Sequence, residues 1–285
     1  MVQPLFDALP FDEAAGQLRD LWRSAFGDDD TFIDAFFAVY GNEGVAHTLS
    51  LGGRVVAALY ALPCNVCSDG ASYPAAYIYA VATRPDCRGR GYMRLLLEKV
   101  EALLAAQGCR VLFLLPADDA LRSMYSRVGY AQCSRSTVEE CAAGAVSPAA
   151  LRIEEVTDVR AIYPFWRRAK SSSEAFVLQS PELLQMNINN CRFLGGGVYA
   201  AVGAGGVEAV AFVAKTGGEP LVLDSVALSS AARESLYSSL LALYSAGRLR
   251  CVVPGKGEPQ CMARIIGAAL PCDIWDMHIT LMLDK

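Results

Sequence analysis

The stretch Arg84–Met93, "RPDCRGRGYM", sets three arginines and two glycines into ten residues, and a fourth arginine, Arg94, follows at once. An apolar run, "AAYIYAVA" (75–82), precedes it, and an amphipathic run, "RLLLEKVEALLAAQG" (94–108), follows. Met93, Leu96, Leu97, Val100, Leu103 and Leu104 keep the i, i+3, i+4, i+7 spacing of a helix over about 89–107, which Gly108 can end. The first N–H groups of a helix have no internal acceptor, and the helix dipole adds partial positive charge there. Gly89 and Gly91 let the backbone aim its amides at one point, with Arg84, Arg88, Arg90 and Arg94 around it. Strand, glycine loop and helix together predict an anion cradle suited to a pyrophosphate, rather than a solvated basic turn.

The loop is not a Walker loop, since no Gly-Lys-Ser/Thr ends it. It misses the dinucleotide fingerprint as well, because Arg94 stands at the third glycine position and no acidic residue ends a strand about 20 residues on.

Outward from the loop, residues 12–26 and 30–40 read as helices, and "VAHTLSLGGRVVAALYALP" as two strands joined at Gly52–Gly53. A third strand covers 76–83. After the long helix come a buried-type strand in "CRVLFLL", a short helix from Asp118 and a strand over about 130–141. The segment "CAAGAVSPAA" closes this half as a linker. The order of elements then returns. Gly44 and the Gly52–Gly53 pair recur at Gly197 and Gly205–Gly206, both offset by 153 residues. Strand 77–83 corresponds to 221–227, and helix 31–40 to 181–190. A tandem duplication of one α/β unit follows, with a mixed central sheet flanked by helices and halves at 1–145 and 146–285.

Composition narrows the classes. The chain has 285 residues, 53% of them apolar and 19% charged, which supports large cores and argues against disorder. A formal net charge of −5 argues against a nucleic-acid partner and suits an amine acceptor. The N-terminus lacks the pattern of a secretory signal, and no run has the length of a membrane-spanning helix. The ten cysteines are scattered through apolar segments, so reduced thiols and a cytoplasmic setting are expected. Cys64-x-x-Cys67 has no second ligand pair, so no metal is expected. His47 and His278, the two histidines, read as packed or edge positions in strands. "PGKG" (254–257) reads as a turn, and "SSSE" (171–174) as a loop flanking a helix.

The glycine loop resembles motif A of the GNAT-superfamily N-acetyltransferases, Arg/Gln-x-x-Gly-x-Gly/Ala after a strand. It reads Arg88-Gly89-Arg90-Gly91-Tyr92-Met93 here, with Met93 departing at the last position. "LRSMYSRVGYAQ" (121–132) resembles motif B at Tyr125, Gly129 and Tyr130. The bulky Met93 and the duplication are similar to the tandem-GNAT subgroup of enhanced-intracellular-survival-type acetyltransferases. The resemblance implies an acetyl-CoA site between two splayed strands. Backbone groups of Val81, Ala82 and Thr83 would pair with the pantetheine arm, and the amides of Arg88, Gly89, Arg90, Gly91, Tyr92 and Met93 would hold the pyrophosphate. It gives Tyr125 the role of general acid toward the departing thiolate. The acceptor would be a small-molecule or peptide amine, with no membrane partner, and homo-oligomerisation stays open.

Direct attack needs a neutral amine, which at pH 7 costs roughly 4.6 kcal/mol for a group of pKa near 10.4. No carboxylate lies on the strand before the loop. Tyr77 and Tyr79, acting through water, and the more distant Glu43, Asp118 and Asp119 are the candidates for a base. In aminoglycoside-acetylating relatives the terminal carboxylate arrives from a sterol-carrier-like domain, which is not expected after "DMHITLMLDK". The second-half counterpart of the loop, "ALSSAARESLYS" (227–238), has no glycine and one arginine, Arg233. A pseudo-domain without a cofactor is expected there. The alternative to an enzyme is an acyl-CoA-binding sensor without turnover.

Overall fold

A computed structural model describes residues 3–7, 11–41, 44–141, 151–171, 175–270, 274–275, 277–279 and 283. Its strands and helices follow the order β1 (Leu5–Phe6), α1 (Phe11–Phe26), α2 (Asp30–Tyr40), β2 (Ala46–Leu51), β3 (Arg54–Ser68), β4 (Ala71–Thr83), α3 (Tyr92–Ala106), β5 (Val111–Leu114), α4 (Asp119–Arg127), β6 (Ala131–Gln132) and β7 (Arg135–Cys141). They continue with β8 (Arg152–Val156), α5 (Tyr163–Lys170), β9 (Ala175–Gln179), α6 (Pro181–Phe193), β10 (Gly197–Gly203), β11 (Gly206–Thr216), β12 (Glu219–Ala227), α7 (Ser230–Leu243), β13 (Leu249–Pro254), β14 (Glu258–Pro259) and β15 (Met262–Ile265).

Local chemistry sets these boundaries. Gly52 and Gly53 have φ of 57° and 80°, the left-handed pair that a tight β2–β3 turn needs. Asp29 caps α2 by accepting from the Phe32 N–H at 2.9 Å, and Ser180 caps α6 in the same way at Leu183. Residues Val55–Leu62 of β3 are buried in unbroken succession, as a central strand covered on both faces requires.

Two compact units result. The first comprises 1–66, 72–132 and 261–273, and the second comprises 67–71, 133–260 and 274–285. The first unit's sheet runs β1-β2-β3-β4-β5-β15-β6, and the second's runs β8-β10-β11-β12-β13-β7-β14. The two orders match position by position. A parallel neighbour pair falls at the same place in each, β4 with β5 and β12 with β13. Each then receives an antiparallel strand from the other half of the chain. β15 pairs with β5 (Met262↔Leu114), and β7 pairs with β13 (Val252↔Val138).

This exchange accounts for two departures from the sequence reading. The strand expected over 130–141 breaks at Cys133–Ser134, with β6 in one sheet and β7 in the other. A cut at residue 145 therefore does not follow the compact units. Cys141 and Cys251, diagonal neighbours on β7 and β13, form a disulfide with Cα atoms 6.0 Å apart. The sequence reading did not anticipate this pairing, because only the exchange brings β7 beside β13.

The first unit's main core gathers Ile78, Leu96, Leu97, Val100, Leu112, Leu114 and Tyr125, and Met262 joins it from the exchanged β15. The second unit packs one core around Trp166, Ile188 and Phe212 and another around Leu236, Leu240 and Val213.

Candidate active site

The site forms where β4 outruns its neighbour. Parallel pairing of β4 with β5 covers Ala75↔Val111, Ala76↔Leu112 and Tyr77↔Phe113. Among the described residues no later β4 residue pairs with β5, although β4 continues to Thr83. Ala80 has φ of 47°, a left-handed conformation that non-glycine residues rarely adopt. Val81, Ala82 and Thr83 follow this irregularity along the parted edge.

The loop from β4 to α3 is pinned at its start. The Arg84 amide donates to the Val56 carbonyl at 2.9 Å, and its guanidinium donates to the Val55 carbonyl at 2.6 Å. A short 3₁₀ turn spans Pro85–Cys87, and Arg54 pairs with Asp86 at 2.7 Å. Gly89 and Gly91 then take φ of 74° and 78°. A Cβ at either glycine would meet nothing within 4 Å, so the demand for glycine is torsional rather than steric. The N–H groups of Gly89 through Arg94 donate to no acceptor among the described residues. The first helical bond past the loop is Leu95 N–H to the Gly91 carbonyl at 3.0 Å. Several successive amides without acceptors, at the positive end of a helix, have the properties of an anion cradle.

Four arginines were expected around this cradle, and the structure engages two of them elsewhere. Arg84 is committed to the Val55 carbonyl, and Arg94 pairs with Glu98 at 2.8 Å. Arg88 and Arg90 stay exposed and donate to loop carbonyls, those of Thr83 and Asp86, both at 3.3 Å. The side chains of Tyr92 and Met93 pack against the apolar core. That packing accounts for a bulky residue at the last motif position.

Tyr125 lies on α4, whose start is capped by the Asp118 carboxylate accepting from the Leu121 N–H at 2.7 Å. The ring is 6% exposed and stands edge-on to Tyr130 with centroids 5.8 Å apart. Burial pushes the phenol up to about 12. The far end of α4 is held by a residue the sequence did not flag. Arg264 of the exchanged β15 donates to the Val128 carbonyl at 2.5 Å and pairs with Glu101 at 2.8 Å. Gly129, at φ 93°, passes so close that a Cβ there would lie 3.4 Å from that guanidinium. Only the order of strands reveals this contact, since the two residues are far apart in the chain.

The candidates for a base have other employment. Asp118 is the cap of α4, and Asp119 is exposed beside Arg122 at 3.7 Å. Tyr77 is buried and stacks on Phe113 at 5.4 Å, and Tyr79 packs near Trp22 at 5.7 Å. Glu43, most of "SSSE" and the C-terminal carboxylate lie outside the described residues. His47 is buried on β2 and paired with Asp7 at 2.9 Å, while the His278 amide donates to the Ala175 carbonyl at 2.8 Å. "PGKG" is the turn between β13 and β14. Among the described residues no group of three or more His, Cys, Asp or Glu side chains is placed to hold a metal ion, and no helix is long and apolar enough to cross a membrane.

The second unit lacks the loop. From Ala227 the chain enters α7 within two residues, and the Ser229 hydroxyl accepts from the Ala232 N–H at 3.1 Å. A helix start capped by its own side chain has fewer amides to offer a ligand.

Residues 12–133 match the family model described as an acetyltransferase (GNAT) domain. No curated protein sequence matches the chain. Among solved structures, a probable N-acyltransferase of unknown function from Enterococcus faecalis V583 is similar at TM-score 0.77 and 17% identity, over 93% of this chain and 73% of that one. Eis1 from Mycobacterium abscessus is similar at TM-score 0.68 and 14% identity, over 92% and 73%. Saccharomyces cerevisiae N-myristoyltransferase, solved with bound myristoyl-CoA, is similar at TM-score 0.58 and 9% identity, over 95% and 80%. At such identities the likeness is one of fold, and it extends over both units. The glycine loop and the parted strands both fall within residues 12–133, the part of the chain that matches the GNAT acetyltransferase domain model.

Proposed function

We propose that the first unit transfers an acetyl group from acetyl-CoA to an amine by direct attack. The observation that carries this reading is the row of acceptor-less amides from Gly89 to Arg94, placed where β4 parts from β5. The amides of Gly89 through Met93 bind the pyrophosphate, while the Arg88 amide donates to the Pro85 carbonyl at 3.4 Å and the Arg88 and Arg90 side chains add charge from the rim. The backbone of Val81, Ala82 and Thr83 pairs with the pantetheine amides as an added strand would. This places the thioester near the β4 irregularity, beside α4.

The neutral amine nitrogen attacks the thioester carbon, the C–S bond breaks, and the thiolate takes a proton from the Tyr125 hydroxyl; the acetylated nitrogen sheds its extra proton to water, and the tyrosinate takes one back from water. A phenol at about 12 is fully protonated at neutral pH, so the proton is always available. Against a thiol of about 8.5 in water it is weak by about 5 kcal/mol. Burial raises the thiolate's basicity too, and a hydrogen bond from the phenol stabilises sulfur charge as it develops. The second unit serves on this reading as a pseudo-domain without a pyrophosphate loop. The acceptor is a small-molecule or peptide amine.

A sensor without turnover is the second reading, favoured by the absence of any Asp or Glu from β4. Thiol release from acetyl-CoA, followed with a panel of amines, separates the two. Release with any amine supports transfer. Measurable CoA binding without release from any of them overturns it.

A further inference from the structure

The second unit contains a cavity of about 460 Å³ between its own parted strands, a size that small ligands occupy. β12 and β13 pair only at Leu221↔Arg250 and Val222↔Cys251 among the described residues. β12 then runs on to Ala227 and β13 to Pro254, so facing backbone edges border the cavity. Those edges present alternating N–H and C=O groups, as any unpaired strand edge does.

The wall carries a buried ion pair. Lys170, at the end of α5, meets both carboxylate oxygens of Asp224 on β12, at 2.8 and 2.7 Å. Their side chains are 13% and 6% exposed. An ammonium has three N–H donors and a carboxylate about four acceptor sites, so neither partner saturates the other, and Asp224 Oδ2 is buried with no hydrogen-bond donor among the described residues. Beside it, the Ser225 and Tyr237 hydroxyls are joined at 2.6 Å. An amide complements such a wall, with its carbonyl to Lys170 and its N–H to Asp224. It also complements a strand edge. The capped start of α7 adds no cradle for a diphosphate.

We propose that this cavity is a second binding site, which takes a short extended amide chain by strand addition between β12 and β13, with Lys170 and Asp224 reading one amide. The chemistry is shared by a peptide segment and by a pantetheine arm free of nucleotide. The proposal goes beyond the acetyl-transfer reading and does not depend on it.

The test titrates the full chain with two probes, N-acetyl-trialanine amide and pantetheine, by calorimetry with and without saturating CoA. The expected result is saturable binding of at least one probe with Kd below about 1 mM, retained in CoA. Binding of the peptide alone assigns the site to peptide segments, of pantetheine alone to pantetheine arms, and of both to the shared amide chemistry. Ala227→Phe, which fills the mouth, should weaken binding at least tenfold, as should the charge-free pair Lys170→Met with Asp224→Asn. Circular dichroism melts identify which variants fold, and a folded one decides. No saturation by either probe, loss of all binding in CoA, or unchanged affinity in a folded variant would overturn the proposal.

Discussion

The guanidinium of Arg264 lies 2.8 Å from the Glu101 carboxylate, joining the exchanged strand β15 to the long helix α3. It also bonds the Val128 carbonyl at the end of α4, so one side chain ties three elements around Tyr125. Burial pushes the Glu101 carboxyl up, and Arg264 opposes that shift. Arg264→Met should destabilise the fold by about 1–3 kcal/mol at pH 7, below the full cost of breaking a buried pair because Arg264 is 35% exposed. A carboxyl raised in the folded state binds more protons there than in the unfolded chain, so its contribution falls as pH rises through the window above its ordinary value. The deficit of Arg264→Met should therefore shrink between pH 7 and 5, and Glu101→Gln in the same chain should restore most of it. Urea melts at both pH values check this. A pH-independent deficit would contradict it.

Gly91 tests the loop separately from the fold. At φ 78° a side chain is strained, yet a Cβ would meet nothing within 4 Å. Gly91→Val should cost about 1–2 kcal/mol of stability, through backbone strain alone. If the amides hold a pyrophosphate, the altered loop should also weaken CoA binding at least tenfold in calorimetry. Loss of stability with unchanged CoA affinity would remove the loop from the binding site.

Local features were legible in the sequence, and long-range pairings were not. Gly52–Gly53, the spacing of Leu96, Leu97 and Val100, and the two loop glycines each encode their conformation within a few residues, and the structure agrees. The repeat was readable because glycine turns and strand order recur. The exchange of β7 and β15 was hidden, because nothing in "RSTVEEC" or "MARI" states which sheet edge will receive it. Arg264 and the Cys141–Cys251 pair were missed for that reason. Charge in a sequence does not show that a guanidinium already has a carbonyl or carboxylate partner, as those of Arg84 and Arg94 do.

Tyr125→Phe keeps the buried ring and removes only the hydroxyl. Turnover should fall at least tenfold with KM for acetyl-CoA little changed, the usual scale for loss of a general acid. Because burial holds the phenol near 12, the wild-type rate should show no alkaline decline attributable to Tyr125 below about pH 10. Its low-pH limb should instead follow protonation of whichever amine is supplied. An unchanged rate in Tyr125→Phe would exclude the acid role, and a decline near pH 9 that vanishes in the variant would refute the burial argument.

Ser229 separates the two units' helix starts. Its hydroxyl satisfies the Ala232 amide at the point where the first unit leaves amides open. Ser229→Ala should lower stability by about 1 kcal/mol, as loss of an N-cap does. It should leave acetyl-CoA affinity and turnover within twofold of wild type, since the second unit has no glycine loop to disturb. Ser229→Gly should cost only a few tenths of a kcal/mol, because glycine tolerates the cap conformation. Chemical denaturation orders the three proteins, and calorimetry with CoA supplies the functional arm. A tenfold loss of CoA affinity in Ser229→Ala, with the fold intact, would place a cofactor at the second helix after all.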